Sequence, residues 1–232
     1  MNILAIDTSN FALGVSLLTE EKVAGEYISN MKINHSLSAM PAVEQLLKDC
    51  QVSPKELDKI VVAIGPGSYT GVRIGVTLAK TLAWSLNIPV VGVSSLAVLA
   101  ANGRYFQGYV SPLFDARRGQ IYTGLYGFQN GELHAVMEDC NILAEEWAKH
   151  LKSLGKPVLF VGGDTVIHRE VLERELGELA CFATLSESNP RPSELGYIGL
   201  TREPTPVHEF VPNYIRLAEA EAKWLEAEKS KG

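Results

Sequence analysis

An α/β fold in two similar lobes, each running β-β-β-α-β-α, is what the sequence predicts, and three observations predict it. Short apolar runs rich in β-branched residues, above all residues 60–64 (I-V-V-A-I), alternate with stretches of helical period, the pattern of a mostly parallel sheet covered by helices. The order of elements restarts after about 108 residues, so that Asp115 ends a strand as Asp7 does. Each half also holds one buried strand that breaks at glycines and feeds a helix, at residues 60–64 and again at 157–161.

Residues 3–6 form the first strand and stop at Asp7-Thr8-Ser9-Asn10, polar residues that bond their own backbone in a tight turn. Residues 11–18 and 22–29 alternate as strands and complete a meander. His35-Ser36 opens a helix to Cys50, with Leu37, Met40, Val43 and Leu47 on one side and Ala39 and Leu46 alongside. Pro41 sits about one turn in, where it costs less than deeper in the helix. After strand 60–64 the glycines flanking Pro66 force a turn, and Ser68 or Thr70 caps a helix that runs to Leu86 with only Arg73 and Lys80 charged. Val72, Val76, Ala79, Ala83 and Leu86 form one stripe, with Gly75, Leu78 and Leu82 beside it. One face covers the sheet and the other calls for a second partner.

Residues 89–93 are a further strand, Ser94 or Ser95 caps a helix through Ala101, and Asn102-Gly103 stops it. The second half repeats with strands 110–114, 120–128 and 132–138, helix 143–151, strand 157–161 and a helix from Asp164 or Thr165 to Leu176. A proline-bearing loop, a short helix at 193–200, a linker, an extended segment at 211–216 and a charged helix at 218–229 close the chain. The expected division is an N-terminal lobe at 1–104, a C-terminal lobe at 105–200 and a tail at 201–232. Two such halves facing across a cleft are the architecture of the actin, hexokinase and Hsp70 (ASKHA) type.

The 21 basic and 27 acidic residues leave a net charge of −6 without a Lys/Arg cluster, a poor basis for binding nucleic acid alone, since phosphate neutralisation supplies most non-specific affinity. Cys50, Cys140 and Cys181 are isolated, which points away from a disulfide framework or a zinc site and fits a reducing cytosol. The N-terminus lacks a charged lead and long apolar core, and no apolar run approaches membrane-spanning length, so a soluble cytoplasmic protein without membrane partners is expected.

The glycine-rich stretch Gly65-Pro66-Gly67-Ser68-Tyr69-Thr70-Gly71-Val72-Arg73-Ile74-Gly75 fails as a P-loop, having Val72-Arg73 where Lys-Ser/Thr is required, and fails as a dinucleotide fingerprint at Thr70. Arg73 in the first helical turn opposes the helix dipole, so it either meets an anion or points into water. Asp7, Thr8 and Ser9 sit where this superfold aims side chains at a nucleotide's phosphates and metal; a plain turn is the other reading. Gly162, Gly163 and Asp164 either approach a phosphate at a helix N-terminus or make a turn and cap. Arg117 and Arg118 either bind an anion or pair with Asp115. His35, His134, His150, His168 and His208 show no ligand spacing, and no nucleophile elbow or cysteine with a base partner is present, so no catalytic or metal residues are expected.

With these residues in place the chain resembles the TsaB (YeaZ) family of tRNA threonylcarbamoyladenosine proteins. The resemblance rests on I-D-T-S at Ile6, His35-Ser36 with Pro41, the stretch from Gly65 to Gly75, D-A-R-R-G-Q-I-Y from Asp115, G-G-D from Gly162 and P-N-Y-I-R from Pro212. It implies a degenerate relative of the transferase TsaD that lacks TsaD's metal-binding histidine pair, since residues 93–99 hold no histidine. It further implies a non-catalytic scaffold that activates a TsaD-type transferase acting on adenosine 37 of tRNAs reading codons that begin with A. A TsaE-type ATPase is the further partner, tRNA is met only through the complex, a homodimer competes on the same surface, and ATP or ADP enters only at the partner interface. The expected contacts are Leu37, Met40, Val43, Leu47, Val72, Arg73, Val76 and Ala79, with Asp7, Thr8, Ser9, Gly162, Gly163 and Asp164 as a vestigial nucleotide site. The rival reading is an ATP-binding phosphotransferase or ATPase built on Asp7, Asp115 and Gly162 to Asp164.

Overall fold

The computed structural model describes residues 1–31 and 34–215; Arg216 and the helix expected at 218–229 lie outside the described residues. Strands β1 (Ile3–Asp7), β2 (Leu13–Leu18), β3 (Val23–Ser29), β4 (Lys59–Ala63) and β5 (Val90–Val93) form one sheet in the order β3-β2-β1-β4-β5. The meander pairs β1 antiparallel to β2, with Asp7 opposite Gly14, while β4 runs parallel to both β1 and β5. Helices α1 (His35–Asp49) and α2 (Tyr69–Leu86) close one face over Leu4, Ile6, Val15 and Val62, with Ser68 as the N-cap of α2.

The second sheet repeats the first. Strands β6 (Tyr109–Asp115), β7 (Gln120–Gln129), β8 (Glu132–Leu143), β9 (Val158–Val161) and β10 (Ala180–Phe182) are ordered β10-β9-β6-β7-β8, the same arrangement element for element. Helices α4 (Ala144–Ser153) and α5 (Thr165–Leu176) cover it, and the buried Trp147 donates its indole N–H to Ser111 Oγ at 3.0 Å. Helix α3 (Ser95–Ala100), capped by Ser94, is buried along its whole length in a central core that joins Ile3, Ala5 and Val61 of the first sheet to Val110, Phe114 and Tyr126 of the second.

Three features differ from expectation. Strand β8 continues to Leu143 instead of ending at residue 138, because Cys140 and Ile142 pair with Thr123 and Ile121 of β7. Strand β10 was not expected; its three residues pair in parallel with β9 and complete the second sheet. Helix α6 (Pro192–Leu200) follows the second lobe in sequence but packs on the first sheet. There Gly196 and Gly199 admit contact so close that a Cβ would lie 2.2 Å from Leu18 and 2.4 Å from Val61.

The extended segment also returns to the first lobe. Thr205 bridges to Val90, Phe210 is buried in the first lobe's core, and the Asn213 N–H donates to Ile64 O at 2.8 Å. Lys80 Nζ donates to His208 O and Phe210 O, so part of the cover that α2 requires beside the sheet comes from the chain itself.

Candidate functional site

The first turn is closed. Asp7, at 1% exposure, accepts from the Ser9 N–H at 2.8 Å and the Ser9 hydroxyl at 2.7 Å on the same oxygen, Oδ1. Thr8 and Ser9 are buried as well; Thr8 Oγ1 donates to Gly71 O at 2.7 Å, and the Ser68 N–H donates to Ser9 O at 2.7 Å. The glycine-rich stretch explains itself here. A Cβ at Gly67 would sit 2.1 Å from Ser9 O, one at Gly71 2.2 Å from Thr8 O, and one at Gly75 2.5 Å from Thr8 Oγ1. These glycines let the start of α2 press on the turn, and the motif is a packing device at this place. Burial pushes the Asp7 carboxyl above its ordinary range, with the two Ser9 hydrogen bonds and the charge of His35 opposing.

The second turn is open. It faces a cleft of about 590 Å³ whose walls are Phe11, Ser68, Tyr69 and Thr70 on one side and Asp115, Arg117, Arg118 and Asp164 on the other. Arg117 and Arg118 both take left-handed backbone angles, φ 65° and 55°. Asp115 Oδ1 lies 2.9 Å from Nε2 of the buried His168, and the Asp115 N–H donates to Asp164 Oδ2 at 2.9 Å. Asp164 occupies the N-cap position of α5 without making a capping bond, because its carboxylate is turned to Asp115 instead. Gly162, at φ 135°, lies against β6, where a Cβ would be 2.4 Å from Leu113 O, whereas Gly163 has open space around it. Of the six residues expected to form a nucleotide site, Asp164 alone lines this cleft.

Arg73 is exposed, as one of its two readings has it, and it also rests on its own helix. Its Nη1 donates to the Tyr69 hydroxyl at 3.0 Å and its guanidinium lies 5.3 Å from the centre of that ring, which stacks on Tyr214 at 5.1 Å. The expected contact stripe is largely turned inward. Val43, Leu47, Val72, Val76 and Ala79 are buried in the first lobe's own core, which corrects their assignment as direct partner contacts: a helix lying on a sheet gives the sheet its most apolar face. The outward residues of α1 and α2 include Leu37, at 74% exposure, half-buried Met40 and exposed Tyr69, Arg73, Thr77 and Trp84. Exposed Phe11 and Met31 belong to the same lobe.

Sequence reasoning gave no sign of a second polar cluster. Asp139 of β8 accepts from the hydroxyls of both Ser94 and Tyr126, linking the second sheet to the cap of α3 in the wall of a cavity of about 630 Å³. Burial raises the Asp139 carboxyl, and burial followed by the charge of Asp139 raises the Tyr126 hydroxyl. Ser94 was legible as a cap, but its pairing with Asp139 joins positions far apart in the chain and has no local pattern. Among the described residues no three His, Cys, Asp or Glu side chains are grouped to hold a metal ion, and no helix is long and apolar enough to cross a membrane.

Comparison with known proteins places these features in a family. Residues 22–224 match the family model of TsaD, tRNA N6-adenosine threonylcarbamoyltransferase. The tRNA threonylcarbamoyladenosine biosynthesis protein TsaB of Bacillus subtilis is 58% identical over 229 residues, 99% of this chain and 100% of that protein. A solved protein from Pseudomonas aeruginosa, described as uncharacterized with similarity to peptidase YeaZ, matches with a TM-score of 0.80 at 28% identity, over 93% of this chain and 99% of that one. A ROK hexokinase from Thermus thermophilus, at 10% identity and a TM-score of 0.50 over 86% of this chain and 99% of that one, shares the two-lobed fold.

Proposed function

The chain belongs to the TsaB (YeaZ) family, related to TsaD, and from that premise we propose that it takes part in tRNA threonylcarbamoyladenosine biosynthesis as a non-catalytic scaffold for a TsaD-type transferase. In this role it orders the transferase that modifies adenosine 37 of tRNAs reading codons that begin with A. The observation that carries the non-catalytic reading is the closed first turn: the Asp7 carboxylate is buried and does not line the cleft, and Gly67 and Gly71 press on the neighbouring Ser9 and Thr8. An acid that is to hold a metal-bound phosphate needs a path to it, and this one is buried away from the cleft.

Docking falls to the outward side of α1 and α2, where Leu37 and Trp84 are the most exposed large apolar side chains. Large exposed apolar side chains suit a contact that buries them in a partner. A homodimer would use this same surface and compete. A TsaE-type ATPase joins the assembled pair, tRNA is met through the complex, and the setting is the cytoplasm.

Size-exclusion chromatography with light scattering, on the chain alone and mixed with a TsaD-type transferase, tests this. A mixed species is expected, and Leu37→Glu is expected to weaken it at least about tenfold while leaving thermal stability unchanged, because the side chain is exposed. An undiminished complex with Leu37→Glu would remove the docking surface. Stabilisation of the isolated chain by ATP, about 2.7 kcal/mol at a hundred times Kd, would favour the phosphotransferase reading instead.

A further inference from the structure

Among the described residues the buried side-chain atoms without a hydrogen-bond partner are Asp7 Oδ2, Asn10 Nδ2, Ser16 Oγ and His35 Nδ1, and three of these four belong to the first turn and the residue that opens α1. Buried polar groups are seldom left unpaired, so three in one place call for a chemical reason. His35 Nε2 lies 2.9 Å from Asn10 O. A carbonyl oxygen only accepts, so Nε2 carries the hydrogen and Nδ1 of the neutral ring is left as a bare lone pair. Asp7 Oδ1 is already engaged twice by Ser9, which leaves Oδ2 as a second bare acceptor. The charge of His35 is the one that acts on Asp7. The other elements against the turn present glycines: Gly14 of β2 lies opposite Asp7, and Gly71 and Gly75 of α2 press on Thr8.

Both bare acceptors are shut off from solvent, one on the first turn and one on the ring bonded to that turn at Asn10 O, and one proton held between them would satisfy both. We propose that Asp7 and His35 hold a proton in common, directly or through one water, and that it fixes the entry of α1. Asp7 is then a positioning residue for the docking helix. This inference rests on the docking reading for its consequence but not for its chemistry. Burial, which raises the Asp7 carboxyl, favours keeping the proton. Loss of the proton as pH rises leaves a buried carboxylate against a lone pair, and the first turn of α1 is pushed away from the turn that anchors it.

The test has two arms. In the isolated chain, His35→Gln is expected to shift the ¹³C NMR titration of Asp7. An Asp7 titration unaltered by His35→Gln would overturn the shared proton. In calorimetric titration with a TsaD-type transferase, affinity is expected to fall as pH rises through loss of that proton. Asp7→Asn, whose amide can donate to Nδ1, should bind at full strength without the pH dependence. His35→Ala should bind about tenfold more weakly, and His35→Gln, which keeps a donor for Asn10 O, should recover most of the loss. An Asp7 titration shifted by His35→Gln together with unweakened binding by His35→Ala would overturn the positioning role while leaving docking intact. Failure of the unaltered chain to bind at any pH would instead strike the docking reading, with the NMR arm still deciding the proton.

Discussion

The two strand-end turns, Asp7 to Asn10 and Asp115 to Arg118, occupy equivalent places in the two sheets yet have opposite characters. The first is sealed from Asp7 to Ser9: these three side chains are buried, and Gly67 and Gly71 at the start of α2 press on it. The second opens on the cleft with two arginines, and its aspartate is held from behind by His168. The difference lies in the loop that follows the neighbouring strand. Gly67 just ahead of α2 and Gly71 and Gly75 within it permit close contact with the first turn; ahead of α5, Gly162 meets Leu113 O of β6 but Gly163 has no neighbour to meet. One strand order thus yields a packed corner in one lobe and an open rim in the other, according to what the adjoining loop allows.

Breaking the sealed corner should have the largest effect. Gly71→Ala places a Cβ 2.2 Å from Thr8 O, a backbone atom that cannot step aside, and a loss of about 3 kcal/mol or more in urea denaturation is expected. In the open turn the comparable support is His168, and His168→Ala should cost about 2 kcal/mol by cavity formation and loss of the bond to Asp115. Asp7→Asn should act through pH. The folded state raises the Asp7 pKa, so ionised Asp7 disfavours folding; that penalty is absent below the unfolded pKa and develops as pH rises through the folded one. The variant should therefore gain stability relative to the unaltered chain as pH increases over that interval and hold the gain above it, as chemical denaturation at several pH values would reveal. Gly163→Ala should change stability by less than about 0.5 kcal/mol, because its Cβ meets open space. A cost at Gly163 equal to that at Gly71 would erase the contrast between the loops.

Much of this was legible in the residues. The glycines around Pro66, the caps at Ser68 and Ser94, and the recurrence of Asp7 as Asp115 define the repeat and the two turns without coordinates. Periodicity also identified the apolar stripes of α1 and α2. What it cannot give is the object a stripe faces, and here Val72, Val76 and Ala79 turned to their own sheet, leaving Leu37 outward. Strand β10 was missed because three residues are too few to show alternation. The return of α6 and of residues 205–213 to the first lobe, and the link from Asp139 to Ser94, depend on contacts between distant positions that no window along the chain contains.

Hydrogen–deuterium exchange on the chain, free and in the presence of a TsaD-type transferase, addresses the scaffold role most directly. Added protection is expected in α1 and in the outward turns of α2, with the peptides of α4 and α5 unchanged. Protection confined to the second lobe, or none at all under conditions where the two proteins copurify, would contradict docking through α1 and α2.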